Sequence, residues 1–243
     1  MDWNSRFVQQ AQWTADLRAY LFGKAGLRNA RRVLEVGCGT GAILSGLVTP
    51  ASVHGLDLDG LRLHEARGHA PAAELTCGDG HRLPYLSGAF DITFCHYFLL
   101  WAGDPLKALL EMKRVTRRGG AVLALAEPDH EARVDKPGEL SALGRWQTEA
   151  LRRQGADPGL GGQLGRLFRA AGILPIETGR LREGEGTFSS QKGRDLEWAV
   201  LESDLAGSVP TEELGRLRLL DEKAWERGER VLILPTYFAW GKG

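Results

Sequence analysis

The sequence has few cysteines and no long apolar run, and each shortage removes a class of protein. Its 243 residues include only Cys38, Cys77 and Cys95, an odd number without the paired spacing of a zinc site. A disulfide-rich secreted scaffold is therefore excluded. No apolar run reaches the length of a membrane span, and the N-terminus lacks the basic and apolar regions of a signal peptide. These shortages predict a cytoplasmic protein.

The sequence also lacks an excess of charge of either sign. Lys and Arg together number 31, as do Asp and Glu, so the formal net charge is zero. Nucleic acids and anionic membranes attract proteins with a basic excess, so neither is expected as a partner. The hydrophobic share of 43% and the charged share of 26% are those of an ordinary globular chain. We therefore expect a small-molecule partner, and a protein that acts as a monomer or homodimer.

Short apolar runs alternate with helical patterns along the first half of the chain. A helix is predicted over residues 42–48, and another opens at Asp104-Pro105 and ends at Gly119-Gly120. Strands that alternate with crossover helices form a parallel sheet with helices on both faces. The fold class predicted is therefore α/β, a three-layer Rossmann-like architecture. Its first five strands are expected in RRVLEV, SVHGLDL, AELTCGD, FDITFCHYF and AVLALAE.

The two ends of the chain differ from this core. Residues 6–22 carry apolar side chains at helical spacing. Further helical patterns fill much of the second half, where ILPIETGRL and LPTYFAWGKG resemble the remaining strands. We expect a single domain with a helical segment over 1–30, a cofactor-binding core over 31–128, and helical insertions over 129–160 and 187–230 that form a substrate lid.

The stretch VLEVGCGTGAIL, residues 33–44, places one acid inside an apolar strand and three glycines directly after it. Glycine lets the backbone turn tightly and approach a ligand closely. Gly37, Gly39 and Ala42 also satisfy the dinucleotide pattern G-x-G-x-x-A, so a nicotinamide cofactor is an alternative. Glu35 disfavours that alternative, because an acid is unfavourable beside a pyrophosphate and favourable beside a ligand that carries positive charge.

Polar residues follow the next three predicted strands. Asp57 lies at the end of the second strand, where a carboxylate can accept hydrogen bonds from both ribose hydroxyls; helix capping is the alternative for this residue. Asp79 follows the third strand, where it can accept from an adenine amino group, although Asp-Gly is also a turn signal. The fourth strand leads into His96 and Tyr97, at the sheet edge where such folds bind ligands.

These motifs together resemble those of the class I S-adenosylmethionine-dependent methyltransferases. The matching pieces run in the family's order over residues 33–129: VLEVGCGTG, GLDLDG, CGDGHRLPY, FDITFCHYFLLWAGDP and MKRVTRRGGAVLALAEPD. The chain is most similar to the small-molecule branch, which includes the quinone-biosynthesis and malonyl-carrier-protein methyltransferases. The resemblance implies a seven-stranded sheet whose last strand is antiparallel.

The resemblance also implies a cofactor and its site. S-adenosyl-L-methionine would be the methyl donor and S-adenosyl-L-homocysteine the product. The loop glycines would clear space for the methionine part of the cofactor, and the acid in the first strand would balance its ammonium and sulfonium. The cofactor contacts implied are Glu35, Gly37, Cys38, Gly39, Gly41, Asp57, Leu58, Asp79, Gly80 and Cys95.

Candidates for catalysis and for a lid lie near this site. His96 and Tyr97 are where the transferred methyl should point, so each is a candidate general base or a wall that contacts the acceptor; a hydrogen-bonded residue at a strand end is the alternative. Trp13 and Tyr20 are expected in a lid over the cofactor, Trp13 as a cofactor contact and Tyr20 as a substrate contact. Trp101 is a further candidate substrate contact.

The run EPDHE, residues 127–131, gathers oxygen ligands of the kind that divalent metals prefer. It lacks the Asp-Asn pair that accompanies such acids in catechol-type methyltransferases, so no metal is expected. Asp129 and His130 are instead expected to contact the substrate.

The expected reaction is methyl transfer to oxygen, nitrogen, carbon or sulfur of a small molecule, driven by orientation and a dry site. A non-catalytic cofactor-binding or regulatory protein, an aminopropyltransferase and a nicotinamide-dependent oxidoreductase are the alternatives.

Overall fold

The computed structural model describes residues 3–181 and 191–243. Nine strands lie in this part of the chain: β1 (Arg32–Val36), β2 (Ser52–Asp57), β3 (Glu74–Cys77), β4 (Phe90–Cys95), β5 (Thr116–Pro128), β6 (Val134–Lys136), β7 (Leu174–Arg180), β8 (Val231–Ile233) and β9 (Thr236–Lys242). Seven of them form one sheet in the order β3-β2-β1-β4-β5-β9-β7, and β9 runs antiparallel to both of its neighbours. The predicted fold class, with its antiparallel last strand, is confirmed.

Helices cover both faces of the sheet. The described residues form eight α-helices: α1 (Trp3–Trp13), α2 (Ala15–Ala25), α3 (Gly60–His69), α4 (Pro105–Val115), α5 (Ser141–Arg153), α6 (Leu160–Ala170), α7 (Gln191–Leu205) and α8 (Thr211–Glu226). Apolar side chains of α4 and α6 pack in one core with those of β1, β4 and β5. Those of α1, α2 and α3 pack in a second core on the other face. Both faces of the central strands are therefore buried, as parallel sheets require.

The N-terminal segment is two helices rather than one continuous helical face over residues 6–22. The break falls at Thr14, between α1 and α2. The Thr14 hydroxyl lies 3.3 Å from the carbonyl oxygen of Gln10 and 3.0 Å from Nε2 of His96. Threonine side chains that bond to the preceding turn bend helices, and here the second bond ties the bend to the end of β4.

Two predicted helix boundaries in the core are wrong. Residues 42–48 form only a 3-10 turn at Leu44–Gly46, because the connection to β2 is short and both Gly46 and Pro50 oppose an α-helix. The fourth helix does begin at Pro105 with Asp104 as its cap, but it ends at Val115 rather than at Gly119-Gly120. The chain turns directly into β5 there.

The late helices, with the short strands β6 and β8, form a unit beside the sheet, which we name the lid after its predicted role. Side chains of α5, α7 and α8, including Leu143, Trp198 and Leu217, make a third apolar cluster. The short strands β6 and β8 pair antiparallel beneath it. Residues 187–190 of the predicted insertion lie outside the described residues. In the described ranges, no helix is long and apolar enough to cross a membrane.

Candidate active site

The glycine loop leaves β1 and passes across the end of β2. Gly37, Gly39 and Gly41 have φ angles of 75°, 53° and 78°, a region that favours glycine. The N–H of Gly37 donates to the carbonyl oxygen of Leu56 at 2.7 Å. The N–H of Gly39 donates to Oδ2 of Asp57, also at 2.7 Å. The acid at the end of β2 therefore fixes the shape of the loop as well as facing the ligand edge.

The space beside the glycines is used by the protein itself. A Cβ on Gly37 would lie 2.8 Å from Cγ of Phe98, and one on Gly80 would lie 2.7 Å from Cζ of the same ring. A Cβ on Gly41 would lie 3.4 Å from the Cβ of Ala66 on α3. The idea that the loop glycines clear space for a cofactor is therefore incomplete, because Gly37 also accommodates Phe98, as Gly80 does after β3, and Gly41 packs against a helix.

Glu35 supplies a buried carboxyl group beneath the loop. Its side chain is almost fully buried, and Oε2 has no hydrogen-bond partner among the residues that the structure describes. Burial raises the pKa of Glu35 well above its usual value, the charge of Arg18 opposes that rise and the charge of Asp57 adds to it. An unpaired buried oxygen at this place fits a ligand with a cationic group. Glu35 would therefore lie at the cofactor's charged end.

The ends of β2 and β3 offer an apolar surface between two acids. Leu58 is 73% exposed, directly after Asp57. Asp79 accepts hydrogen bonds from the backbone N–H of His81 at 2.9 Å and from its ring Nδ1 at 2.7 Å. These two bonds lower the pKa of Asp79. An exposed leucine flanked by two carboxyl side chains and by Gly80 suits a ribose with a flat, polar-edged ring such as adenine.

Cys95, the last residue of β4, turns its side chain away from the ligand edge. The residue is fully buried, and its thiol lies 3.9 Å from Oε1 of Glu127. Burial, followed by the charge of Glu127, raises the pKa of Cys95 well above its usual value. The predicted cofactor contact at Cys95 can therefore come only from its backbone.

His96 is buried and Tyr97 is half-buried at the end of β4, and the pKa of each is shifted away from neutrality. Burial, reinforced by the charge of Arg18, lowers the pKa of His96 to about 3, and its Nε2 is bonded to Thr14. Burial raises the pKa of Tyr97 to about 12, and its phenol is hydrogen-bonded to the side chain of Thr236. Tyr97 also has a φ of 53°, the left-handed region that bulky residues rarely adopt.

Glu127, at the end of β5, is a site residue whose role the sequence did not indicate. Its Oε1 accepts hydrogen bonds from the N–H groups of Phe98 and Leu99, both at 3.0 Å, and its Oε2 accepts from Leu100 at 3.2 Å. Burial raises the pKa of Glu127 to about 7, although these bonds lower it. A single acid within an apolar strand, the signal used for Glu35, could have identified it.

The predicted substrate contacts are only partly brought together. Asp129 accepts hydrogen bonds from two N–H groups of its own loop at 3.1 Å. These bonds are those of a residue that stabilises a turn. His130 lies beside Arg6 and Arg133; burial first, then these charges, lowers its pKa to about 3, and its Nδ1 has no partner within the described ranges. Trp13 stacks on the Arg6 guanidinium, 4.9 Å from the ring centroid.

Two predicted residues lie apart from this group. The Tyr20 phenol donates to Glu177 of β7 at 3.0 Å, and the side chain is exposed because α2 turns it outward across the edge of the sheet. Trp101 is 47% exposed at the end of a 3-10 turn. The structure therefore brings neither to the site. Among the described residues, no group of three or more His, Cys, Asp or Glu side chains is arranged to hold a metal.

A buried ion network joins the lid to the N-terminal helix. Arg6 pairs with Glu197 of α7 at 2.8 Å. Arg133 pairs with Asp135 at 2.8 Å and lies 3.5 Å from Glu197. Asp135 also pairs with Arg230 at 2.7 Å. Apart from Arg133 and Asp135, the partners are far apart in sequence, so the pattern of charges along the chain did not indicate the network.

Comparison with known proteins gives related sequences and folds. A family profile described as a methyltransferase domain matches residues 34–124. The malonyl-acyl-carrier-protein O-methyltransferase of Halorhodospira halophila is 30% identical over 238 residues, which cover 88% of this chain and 75% of that relative. The solved structure of the cyclase SpnF superposes with a TM-score of 0.63 at 23% identity, over 93% of this chain and 79% of that one.

A second solved structure, the geranyl diphosphate C-methyltransferase of Streptomyces coelicolor A3(2), superposes with a TM-score of 0.58 at 12% identity, over 93% of this chain and 76% of that one. The two structures share the fold. The matched residues 34–124 contain the glycine loop, Asp57, Asp79 and the end of β4. The chain therefore belongs to the class I S-adenosylmethionine-dependent methyltransferases, and it is an enzyme that transfers a methyl group from that cofactor to a small molecule.

Proposed function

We propose that the methyl group goes to a carboxylate oxygen of a small molecule, held between the ends of β4 and β5, helix α1 and the lid helices. The observation that carries this proposal is the state of His96 and Tyr97. With pKa values lowered to about 3 and raised to about 12, neither accepts a proton efficiently at neutral pH. An acceptor that needs no deprotonation suits such a site.

Proton balance separates the acceptor classes. Bound S-adenosylmethionine supplies an electrophilic methyl group on a sulfonium. A carboxylate forms the new carbon–oxygen bond as the carbon–sulfur bond breaks, and no proton is released. A carboxylic acid has an ordinary pKa near 4, so its ionised form predominates at neutral pH. A hydroxyl acceptor would release a proton, and the ordered site residues would have to take it.

Two unpaired buried donors could bind the acceptor. Nε of Arg6 and Nδ1 of His130 are buried without a hydrogen-bond partner in the described part of the chain. The two side chains are close to each other, since the Arg6 charge contributes to lowering the pKa of His130. The same charge also acts on Tyr97, where it opposes the rise in pKa. Buried polar atoms are normally bonded, so an acceptor oxygen is the ligand that would satisfy them.

The roles that follow are positional. His96 holds the junction between α1 and α2 through Thr14, and the Tyr97 ring forms a wall beside the acceptor. A general-base role for either remains a prediction. The relative from Halorhodospira halophila supports the acceptor class, because its name states that it O-methylates a malonyl group, whose free end is a carboxylate.

The test is a pair of matched thioesters. The protein is incubated with S-adenosylmethionine and either the malonyl or the acetyl thioester of N-acetylcysteamine, and S-adenosylhomocysteine is measured by mass spectrometry. We expect product with the malonyl compound and none with the acetyl compound, which lacks the carboxylate. Turnover of a neutral alcohol or amine panel, with the carboxylates inert and the cofactor bound normally, would contradict the proposal.

We also propose a cytoplasmic location and a monomer or homodimer. Cys38, Cys77 and Cys95 are all free thiols, which suits a reducing compartment. Size-exclusion chromatography with light scattering, with and without S-adenosylhomocysteine, measures the oligomeric state, and a higher assembly would contradict it.

A further inference from the structure

The segment that follows β4 is held by one side chain. Glu127 reaches from the end of β5 and accepts the N–H groups of three consecutive residues, Phe98, Leu99 and Leu100, at 3.0, 3.0 and 3.2 Å. These N–H groups open a 3-10 turn, so within that turn they have no earlier carbonyl to bond. The backbone path of this segment is therefore set by a carboxylate that is fully buried.

The first residue of that segment contacts both sides of the cofactor edge. The Phe98 ring lies against Gly37, where the glycine loop begins, and against Gly80, which follows the acid after β3. A Cβ on Gly80 would also lie 3.2 Å from Cγ1 of Val36, the last residue of β1. One ring thus spans the ends of β1 and β3, between which the cofactor would lie.

We propose that Glu127 is a positioning residue for the cofactor site, and that it acts through Phe98. Its carboxylate fixes the backbone of Phe98, Leu99 and Leu100 and so holds the Phe98 ring against Gly37 and Gly80. The ring in turn holds the glycine loop and the turn after Asp79 at the spacing that the cofactor requires. The inference concerns the cofactor alone, so it does not depend on which acceptor is methylated.

The chemistry of the position supports a role beyond packing. Burying a carboxylate is costly, and the apolar surroundings raise the pKa of Glu127 to about 7. A leucine would fill this part of the core without that cost but would leave three N–H groups unbonded. The carboxylate therefore supplies the acceptors that the N–H groups of Phe98, Leu99 and Leu100 need. Its removal should displace Phe98 rather than only loosen the core.

The experiment compares two substitutions at one position. Glu127→Gln retains an oxygen for Phe98 and Leu99 and opposes the N–H of Leu100, whereas Glu127→Leu removes all three acceptors. Affinity for S-adenosylhomocysteine is measured by calorimetry on protein whose folding is verified by circular dichroism. We expect the dissociation constant to rise about threefold for the glutamine variant, which loses one acceptor, and more than about tenfold for the leucine variant, which loses all three.

Asp91→Asn is the matched control. Asp91 lies near the start of β4, and its Oδ2 also accepts two backbone N–H groups, from Arg31 at 2.8 Å and Arg32 at 3.0 Å. It stabilises the opposite edge of the sheet, so its variant should lower the unfolding temperature and leave the affinity unchanged. A purely structural role for Glu127 predicts that same result for Glu127→Gln and Glu127→Leu, which would overturn the proposal.

A double-mutant cycle tests the route through the ring. In a Phe98→Leu background, Glu127→Gln should change the dissociation constant less than about twofold, because residues that act as one unit are not additive. An undiminished effect in that background would overturn the route. If both Glu127 variants fail to fold, Phe98→Leu decides alone: weaker affinity supports the proposal, and unchanged affinity overturns it.

Discussion

The cofactor edge and the lid of this enzyme are held together by different means. At the cofactor edge, carboxylates accept hydrogen bonds from backbone N–H groups: Asp57 from Gly39, and Glu127 from the segment after β4. In the lid, charged side chains bond mainly to one another, and Arg133 and Arg230 both converge on Asp135. One region is therefore fixed through its main chain, and the other through buried ion pairs.

This difference predicts how each region responds to substitution. A half-buried acid at a ligand site, such as Asp57, can be removed at modest cost to folding, but the ligand loses its pre-formed contact surface. A charge removed from a buried ion network leaves its partner unpaired in an apolar setting, which is strongly destabilising. Variants of the cofactor edge should therefore change binding first, and variants of the lid should change stability first.

The largest effect is expected for Arg133→Met. The Arg133 and Asp135 side chains are each 1% exposed. The substitution leaves Asp135 paired with Arg230 alone and Glu197 paired with Arg6 alone. We expect the free energy of unfolding to fall by about 3 kcal/mol or more, because breaking a buried pair costs far more than breaking an exposed one. Urea denaturation followed by tryptophan fluorescence measures this.

Arg218→Met is the control for that variant. Arg218 is 35% exposed and pairs with the acids Glu202 and Glu222 at the surface of the lid. Exposed pairs contribute about 0–1 kcal/mol, so this variant should unfold almost as the unchanged protein does. Equal losses for the two arginines would show that burial of the network does not determine lid stability.

A smaller free-energy change, mainly in binding, is expected for Asp57→Ala. Asp57 accepts a hydrogen bond from the N–H of Gly39 and is predicted to bind the ribose of the cofactor, so its loss should remove a ligand contact and relax the glycine loop. We expect affinity for S-adenosylhomocysteine to fall more than about tenfold, about 1.4 kcal/mol or more. Calorimetric titration measures the affinity, and urea denaturation should show a smaller loss of stability than Arg133→Met causes.

Asp59→Ala distinguishes cofactor binding from helix capping. Asp59 accepts hydrogen bonds from the N–H groups of Leu61 and Arg62 at the start of α3. Asp59, and not Asp57, is therefore the residue that caps this helix. This variant should lose about 1 kcal/mol of stability and keep its affinity. Unchanged affinity in Asp57→Ala would remove Asp57 from the cofactor site.

The same comparison explains what the sequence could predict. Asp57 and the loop glycines act within a few residues of the strand ends that carry them, so short motifs were sufficient to find them. Glu127 acts on a segment about 30 residues earlier in the chain, and Arg6 pairs with a partner on α7. Such contacts depend on how distant elements pack. The absence of a helix over 42–48 has a local cause: the apolar side chains have helical spacing, but Gly46 and Pro50 oppose a helix there.

The smallest effect expected is on the pH dependence of stability. Burial lowers the pKa of His96 to about 3, whereas a histidine in an unfolded chain titrates near 6.5. Between these values the unfolded state binds a proton that the folded state does not, so stability falls as the pH falls below about 6.5, by at most about 1.4 kcal/mol per pH unit for this residue. His96→Gln should flatten the decline in unfolding free energy between pH 6.5 and 5.5, measured by urea denaturation.

His130→Gln in the lid should act in the same direction but less, because His130 is partly exposed. If His96→Gln leaves the slope unchanged, His96 is not held neutral at the cofactor edge, and the argument that the site needs an already ionised acceptor loses its main support.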